Sequence, residues 1–202
     1  MVVGLTGGIA CGKSLVAGHF QRLGAHIIDT DELAHELLEP GRAGYEAVLA
    51  AFGPDILDRN GPSPPAISRR RLGALVFGDS AQRARLEAIL HPLIFAEAAR
   101  RRSAIEAAAP KALIVLVVPL LFETGADRLV DRTVAVTADE ETQAARLMAR
   151  DGLDRDAALR RVRAQWPASE KRRRADDWID GGRTPDEVRR QVEALYKKFT
   201  VD

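Results

Sequence analysis

The 202 residues suffice for one sizeable domain, or for a core carrying a small insert. Apolar residues make up 46% and charged residues 29%, which permits a buried core and excludes a disordered chain. Thirty Lys and Arg against 29 Asp and Glu leave a formal charge of +1, without the basic excess usual in a nucleic-acid-binding protein.

Only Lys13, Lys111, Lys171, Lys197 and Lys198 are lysines; the remaining basic residues are arginines. The planar fork of arginine suits phosphate, but genomic base composition produces the same skew. Cys11 is the only cysteine, so no internal disulfide forms and nothing marks an oxidising compartment. The longest apolar run, Ala112 to Val118 and on through Phe122, falls short of the roughly 20 residues of a membrane span. Met1 to Thr6 lacks the basic start and long apolar stretch of a secretion signal. The expectation is a soluble, cytoplasmic protein with neither a membrane nor a nucleic acid as partner.

Val2 to Thr6 reads as a short buried strand cut off by Gly7-Gly8. From Lys13 on, Val16, Phe20 and Leu23 recur at helical spacing, and Gly24 stops that helix. His26 to Ile28 is strand-like and ends at Asp29; Leu33, Ala34, Leu37 and Leu38 then stripe a helix that Pro40-Gly41 terminates. Tyr45, Val48, Leu49 and Phe52 mark the next helix, and Asp58 to Pro65 is turn chemistry that predicts a surface loop. Helical pattern returns at Leu72, Leu75 and Val76, then from Leu86 to Ile94, where Pro92 predicts a kink or break.

Leu113 to Val118 is apolar throughout, as a central parallel strand covered on both faces would be. Thr133 to Thr137 is another strand, and Thr137 with Glu140 has capping-box spacing for the helix that follows. Charge dominates Asp151 to Arg174, interrupted at Trp166-Pro167. Asp176 to Ile179 makes a short last strand. Thr184-Pro185-Asp186-Glu187 opens a closing helix buried along Val188, Val192, Leu195 and Phe199. Strands alternating with helices predict an α/β fold, a parallel sheet flanked by helices.

Gly7-Gly8-Ile9-Ala10-Cys11-Gly12-Lys13-Ser14 fits the pattern G-x-x-x-x-G-K-[ST]. A triphosphate tail needs many donors at short range, and a loop of small residues turns successive backbone N–H groups inward. Lys13 reaches the outer phosphates, the Ser14 hydroxyl suits Mg²⁺, and the helix start adds its positive dipole end. An apolar strand before the loop and an amphipathic helix after it supply the required context. No G-x-G-x-x-G is present, which disfavours a dinucleotide dehydrogenase. Cys11 is either a thiol activated by Lys13 and the helix start or simply a small loop residue.

The strand Ala112 to Val118 runs into Pro119 without the Asp that many P-loop ATPases carry there; Glu123 is the next acid. Asp29 and Asp31 instead follow the strand after the P-loop helix, which the pattern places next to the first strand and beside the phosphate cradle. Asp31 can take a proton from an acceptor hydroxyl, or cap the helix carrying Leu33 and Leu37; Asp29 has the same two readings. Arg146 and Arg150 stand four apart on one helix face. Guanidinium groups on a closing flap neutralise a transferring phosphoryl group; the alternative is a solvated face, the reading taken for Arg172 to Arg174. His91 before Pro92 either contacts a substrate phosphate or packs at the kink. His19, His26 and His35 have no metal-ligand company.

These pieces together resemble the dephospho-CoA kinase family. The matching segments are Gly4-Leu-Thr-Gly-Gly-Ile-Ala-Cys-Gly-Lys-Ser14, Ile28-Asp-Thr-Asp31, Leu38-Glu-Pro-Gly41 and Arg69-Arg-Arg-Leu-Gly-Ala-Leu-Val-Phe77. Ile89-Leu-His-Pro-Leu-Ile94, Val118-Pro-Leu-Leu-Phe-Glu123, Thr142-Gln-Ala-Ala-Arg146, Arg150-Asp151 and Ala175-Asp-Asp-Trp-Ile-Asp180 continue the series in order.

The resemblance implies a P-loop NTPase fold: a five-stranded parallel sheet with a helical coenzyme-binding insert, about residues 32–92, and a lid, about residues 140–175. It implies transfer of the ATP γ-phosphoryl group, with Mg²⁺, to the ribose 3′-hydroxyl of dephospho-CoA. Thr6, Lys13, Asp31 and Arg146 would be catalytic. Gly8, Ile9, Ala10, Cys11, Gly12, Lys13, Ser14 and Leu15, with Arg150, would hold ATP, and Ser14 the metal. Asp31, His91, Leu120 and Glu123 would meet dephospho-CoA. The chain departs from the family pattern at Ala10-Cys11, where Gly-Ser is common, and at Gly181, where an Asn near the adenine is usual; its Asn60 to Pro65 loop is also richer in proline. A different nucleotide or nucleoside kinase is opposed by Asp29-Thr30-Asp31 and His91-Pro92. A GTP switch would need an Asn-Lys-x-Asp stretch, which is missing.

Overall fold

Every residue of β1 (Val2–Gly7) is buried, as a strand covered on both faces requires. The structure, a computed structural model, describes residues 1–58 and 63–201, so the middle of the Asp58 to Pro65 segment lies outside the described residues. After β1 come α1 (Lys13–Arg22), β2 (His26–Asp29), α2 (Thr30–Leu37), α3 (Ala43–Phe52), α4 (Arg69–Phe77) and α5 (Ser80–Ala108). Then follow β3 (Ile114–Val117), β4 (Arg132–Thr137), α6 (Glu140–Asp151), α7 (Arg155–Arg163), α8 (Ala168–Arg174), β5 (Asp177–Asp180) and α9 (Pro185–Thr200).

The strands form one five-stranded parallel sheet in the order β2-β3-β1-β4-β5. β1 sits at its centre, with Leu5 opposite Val117 of β3 and Gly7 opposite Val136 of β4. The strand carrying Asp29 is therefore not the neighbour of β1, as the sequence suggested: β3 lies between them. Four consecutive buried residues, Ile114–Val117, give β3 the stronger claim to the central position.

The chain divides into two units, Met1–Ile28 with Ile105–Asp202, and Asp29–Ala104. In the first, Val3 and Leu5 of β1 join Val16 and Phe20 of α1 and Val188 and Val192 of α9 in one core. On the other face of β1, Gly4 leaves room for Leu121, whose Cδ2 would lie 3.0 Å from an added Cβ. A second cluster gathers Ala144 and Leu147 of α6 with Ala158, Leu159 and Val162 of α7, and Ile9 and Ala10 of the phosphate loop pack against it.

The second unit is helical. Gly44 of α3 lies so close to α2 that a Cβ there would stand 2.6 Å from the Leu37 carbonyl oxygen. The Tyr45 hydroxyl donates to the Pro65 carbonyl at 2.8 Å, and Arg101 of α5 pairs with Glu36 of α2 and with Glu97.

Two local expectations are corrected. Pro92 does not break the helix: α5 runs on from Ser80 to Ala108. Leu90, Ile94 and Ala98, buried four apart, straddle the proline and hold both sides on one face, offsetting the lost hydrogen bond. The cap of α6 is Asp139, not Thr137. Its carboxylate accepts from the Thr142 amide at 2.7 Å and hydroxyl at 2.9 Å, while Thr137 is still in β4. The expected capping box of α9, Thr184 with Glu187, is present.

Candidate active site

The sheet hands the chain directly into the phosphate loop. β1 ends at Gly7 and α1 begins at Lys13. A Cβ on Gly7 would lie 2.3 Å from the Val136 carbonyl oxygen, so only glycine lets the loop leave this close to β4. Gly12, at φ 101°, stands at the start of α1, which no side chain caps. Its first-turn N–H groups carry the positive end of the helix dipole, and the exposed Ser14 hydroxyl sits on that turn.

Ala10 adopts φ 56°, the only positive φ among the described non-glycine residues. It is braced from both sides. Ile9 N–H donates to Gln165 Oε1 at 2.7 Å, and the Ala10 carbonyl accepts from Arg146 Nη1 at 3.2 Å. Arg146 also donates through Nη2 to the Gly181 carbonyl at 2.8 Å, joining the loop to the turn after β5. Gly181 has no room for a side chain, because a Cβ would stand 2.0 Å from the Cys11 carbonyl oxygen.

Lys13 folds back over the loop and donates from Nζ to the carbonyls of Gly7 at 2.8 Å and Gly8 at 3.2 Å. Cys11 is fully buried; burial pushes its thiol up, against the opposing pull of the Lys13 ammonium. The activated-thiol alternative therefore falls, and Cys11 is a small core residue of the loop.

At the end of β1, Thr6 is buried and its hydroxyl donates to the Pro119 carbonyl at 3.1 Å. Glu123, expected against substrate, pairs with Lys171, with Oε1 2.7 Å from Nζ. Leu120, in the same turn, is half-buried. Arg150 does not join Arg146 at the loop. It forms a forked pair with Asp151, at 2.7 and 3.0 Å, on the outer side of α6. Arg172 and Arg174 are not merely solvated: their guanidinium groups stack over Trp178 and Trp166.

In the helical unit Asp29 is the cap of α2, accepting from the Asp31 amide at 2.8 Å. The capping role considered for Asp31 thus belongs to Asp29, and Asp31 stands exposed on the first turn. His91 lies in α5 with its ring edge-on to Phe95, centroids 6.3 Å apart.

The sequence reading missed Gln165 and Lys171. Gln165 had no signal beyond being an uncharged amide in an arginine-rich stretch. Lys171 had one: it is a lysine heading a run of arginines in a chain that almost always chooses arginine.

The dephospho-CoA kinase family model (CoaE) matches residues 1–186. A dephospho-CoA kinase from Geobacillus kaustophilus is 41% identical over 199 residues, covering 98% of this chain and 96% of that one. The chain belongs to the dephospho-CoA kinase family. A second relative, a dephospho-CoA kinase from Geobacter sulfurreducens, is 45% identical over 202 residues and covers 98% of both chains. A crystal structure from Thermus thermophilus superposes with a TM-score of 0.81 at 33% identity, covering 98% of this chain and 97% of that one. The family places the strand, loop and helix above in an ATP-dependent kinase, with ATP as co-substrate. No described helix is long and apolar enough to cross a membrane.

Proposed function

We infer that this chain transfers the γ-phosphoryl group of ATP to the ribose 3′-hydroxyl of dephospho-CoA, giving coenzyme A and ADP, the last step of coenzyme A biosynthesis. The observation that carries this reading is the braced phosphate loop between β1 and α1 in a chain that the family matches over residues 1–186.

In this reading the backbone N–H groups from Gly8 to Leu15 cradle the ATP phosphates, with Lys13 released from its two carbonyls to reach the outer ones. The fit for Mg²⁺ is a hard oxygen donor at the right place: the exposed Ser14 hydroxyl on the first turn of α1. An ion of this kind is held mainly by phosphate and water, with few protein ligands. Bound there, Mg²⁺ would neutralise charge on the β- and γ-phosphates.

Asp31 accepts the proton of the 3′-hydroxyl as the new O–P bond forms and the β,γ-bridging P–O bond breaks, releasing ADP. Asp29 supplies the helix cap, so Asp31 is not needed there. Arg146 neutralises the transferring group, with Arg150 on the lid side, residues 140–175. The helical stretch 32–92 with His91 and Leu120 takes dephospho-CoA. Gly181 offers the adenine no side chain and has no room for one beside Cys11, so a contact there is either missing or made by backbone. Soluble nucleotide substrates and a lone, buried thiol fit a cytoplasmic setting.

The test is ATP-dependent mass gain on dephospho-CoA, one phosphate at the 3′ position, lost with EDTA and restored by Mg²⁺. A preference for a nucleoside monophosphate as acceptor would overturn it.

A further inference from the structure

Lys171 is wholly buried, at 0% exposure, although α8 around it is a run of charged, mostly exposed residues. An ammonium is costly to take out of water, and an apolar residue would fill the same space more cheaply. Its partners show what it holds. Nζ donates to the Pro119 carbonyl at 2.8 Å and lies 2.7 Å from Glu123 Oε1, so it grips the first and last residues of the Pro119 to Glu123 turn.

That turn is coupled to the phosphate loop through the sheet. Val118 N–H donates to the Leu5 carbonyl at 2.9 Å, the last rung between β3 and β1. The next carbonyl along the chain, that of Pro119, receives both the Lys171 ammonium and the Thr6 hydroxyl. Thr6 immediately precedes Gly7, where the phosphate loop begins. Both Glu123 carboxylate oxygens are buried without a hydrogen-bond partner among the described residues, so the carboxylate depends for its place on the ion pair with Lys171.

We propose that Lys171 is a positioning residue for phosphoryl transfer: its ammonium, fixed by Glu123, sets the Pro119 carbonyl and through it Thr6 at the mouth of the phosphate loop. The proposal rests on the kinase reading above. The wild-type assay on dephospho-CoA tests that reading separately.

The experiment compares K171M, K171M/E123L and E123Q with wild type by kcat, KM for ATP and Tm. K171M leaves an unpaired buried carboxylate, and we expect a lower Tm and a kcat at least about tenfold down with KM for ATP nearly unchanged. K171M/E123L removes both charges. Its Tm returns towards wild type while kcat stays low. Recovery of kcat along with Tm in the double variant overturns the proposal, because it would make the pair a matter of stability alone. Should the first two variants not fold, E123Q, which preserves shape, decides: a lowered kcat at an unchanged KM for ATP supports the proposal, and wild-type kcat refutes it.

Discussion

Ala10 sits in a left-handed conformation that costs an L-residue about 1–2 kcal/mol; Gln165 holds the Ile9 N–H before it and Arg146 the carbonyl of Ala10 itself. The loop is thus shaped by side chains from elsewhere in the fold, while Lys13 rests on its own carbonyls. Lys13→Ala should lower kcat/KM by about 10²–10³-fold, the scale of a lost transition-state donor, with Tm close to wild type. Asp31→Asn should lower kcat by roughly 10²–10⁴-fold with little change in KM for ATP. A variant that kept kcat and lost only Tm would return Asp31 to a role in the helix. Gly181→Ala forces a Cβ to within 2.0 Å of the Cys11 carbonyl, and thermal unfolding should show a loss of about 1–3 kcal/mol. Its ATP affinity should fall as well, since the carbonyl held by Arg146 must move.

Among the elements, α5 ties its own surface together through Glu97, whose carboxyl the Arg100 and Arg101 hydrogen bonds hold down at about 2 against an ordinary 4.5. A depressed carboxyl stabilises the fold fully above the unfolded value and loses that contribution as pH falls. The Tm difference between Glu97→Gln and wild type should therefore be widest near neutral pH and vanish as pH approaches about 2, read by a melting series across that range. Most elements were legible in the sequence because each carries its own period or punctuation. β1, β3 and α9 announce themselves by apolar runs, striping and a complete capping box. What failed was decided by partners remote in sequence. Pro92 reads as a break until Leu90, Ile94 and Ala98 are found on one buried face, and Thr137 reads as a cap until β4 claims it. In the site, the Gly7 to Ser14 motif was plain. Gln165, Lys171 and the ion pair of Glu123 were not, because each is defined by a contact spanning 48 to 156 positions in the chain.

At the scale of the molecule, the strand that comes first in the chain occupies the centre of the sheet, and its partners β3 and β4 begin at Ile114 and Arg132. Such long-range pairing makes for slow folding, since the loop between partners must be closed before their contacts repay it. Cys11, alone and buried among residues from β1, β4 and α9, reports that event. In refolding, a pulse of alkylating reagent should label Cys11 until the last phase and not after it; protection in an early phase would place assembly of this core first. During translation the same arrangement has a cost for the cell. The strand and phosphate loop are made more than a hundred residues before their partners, and the apolar strand waits unpaired until residues beyond 130 have been made. A nascent chain of this kind is a natural client for chaperones that shield exposed strands.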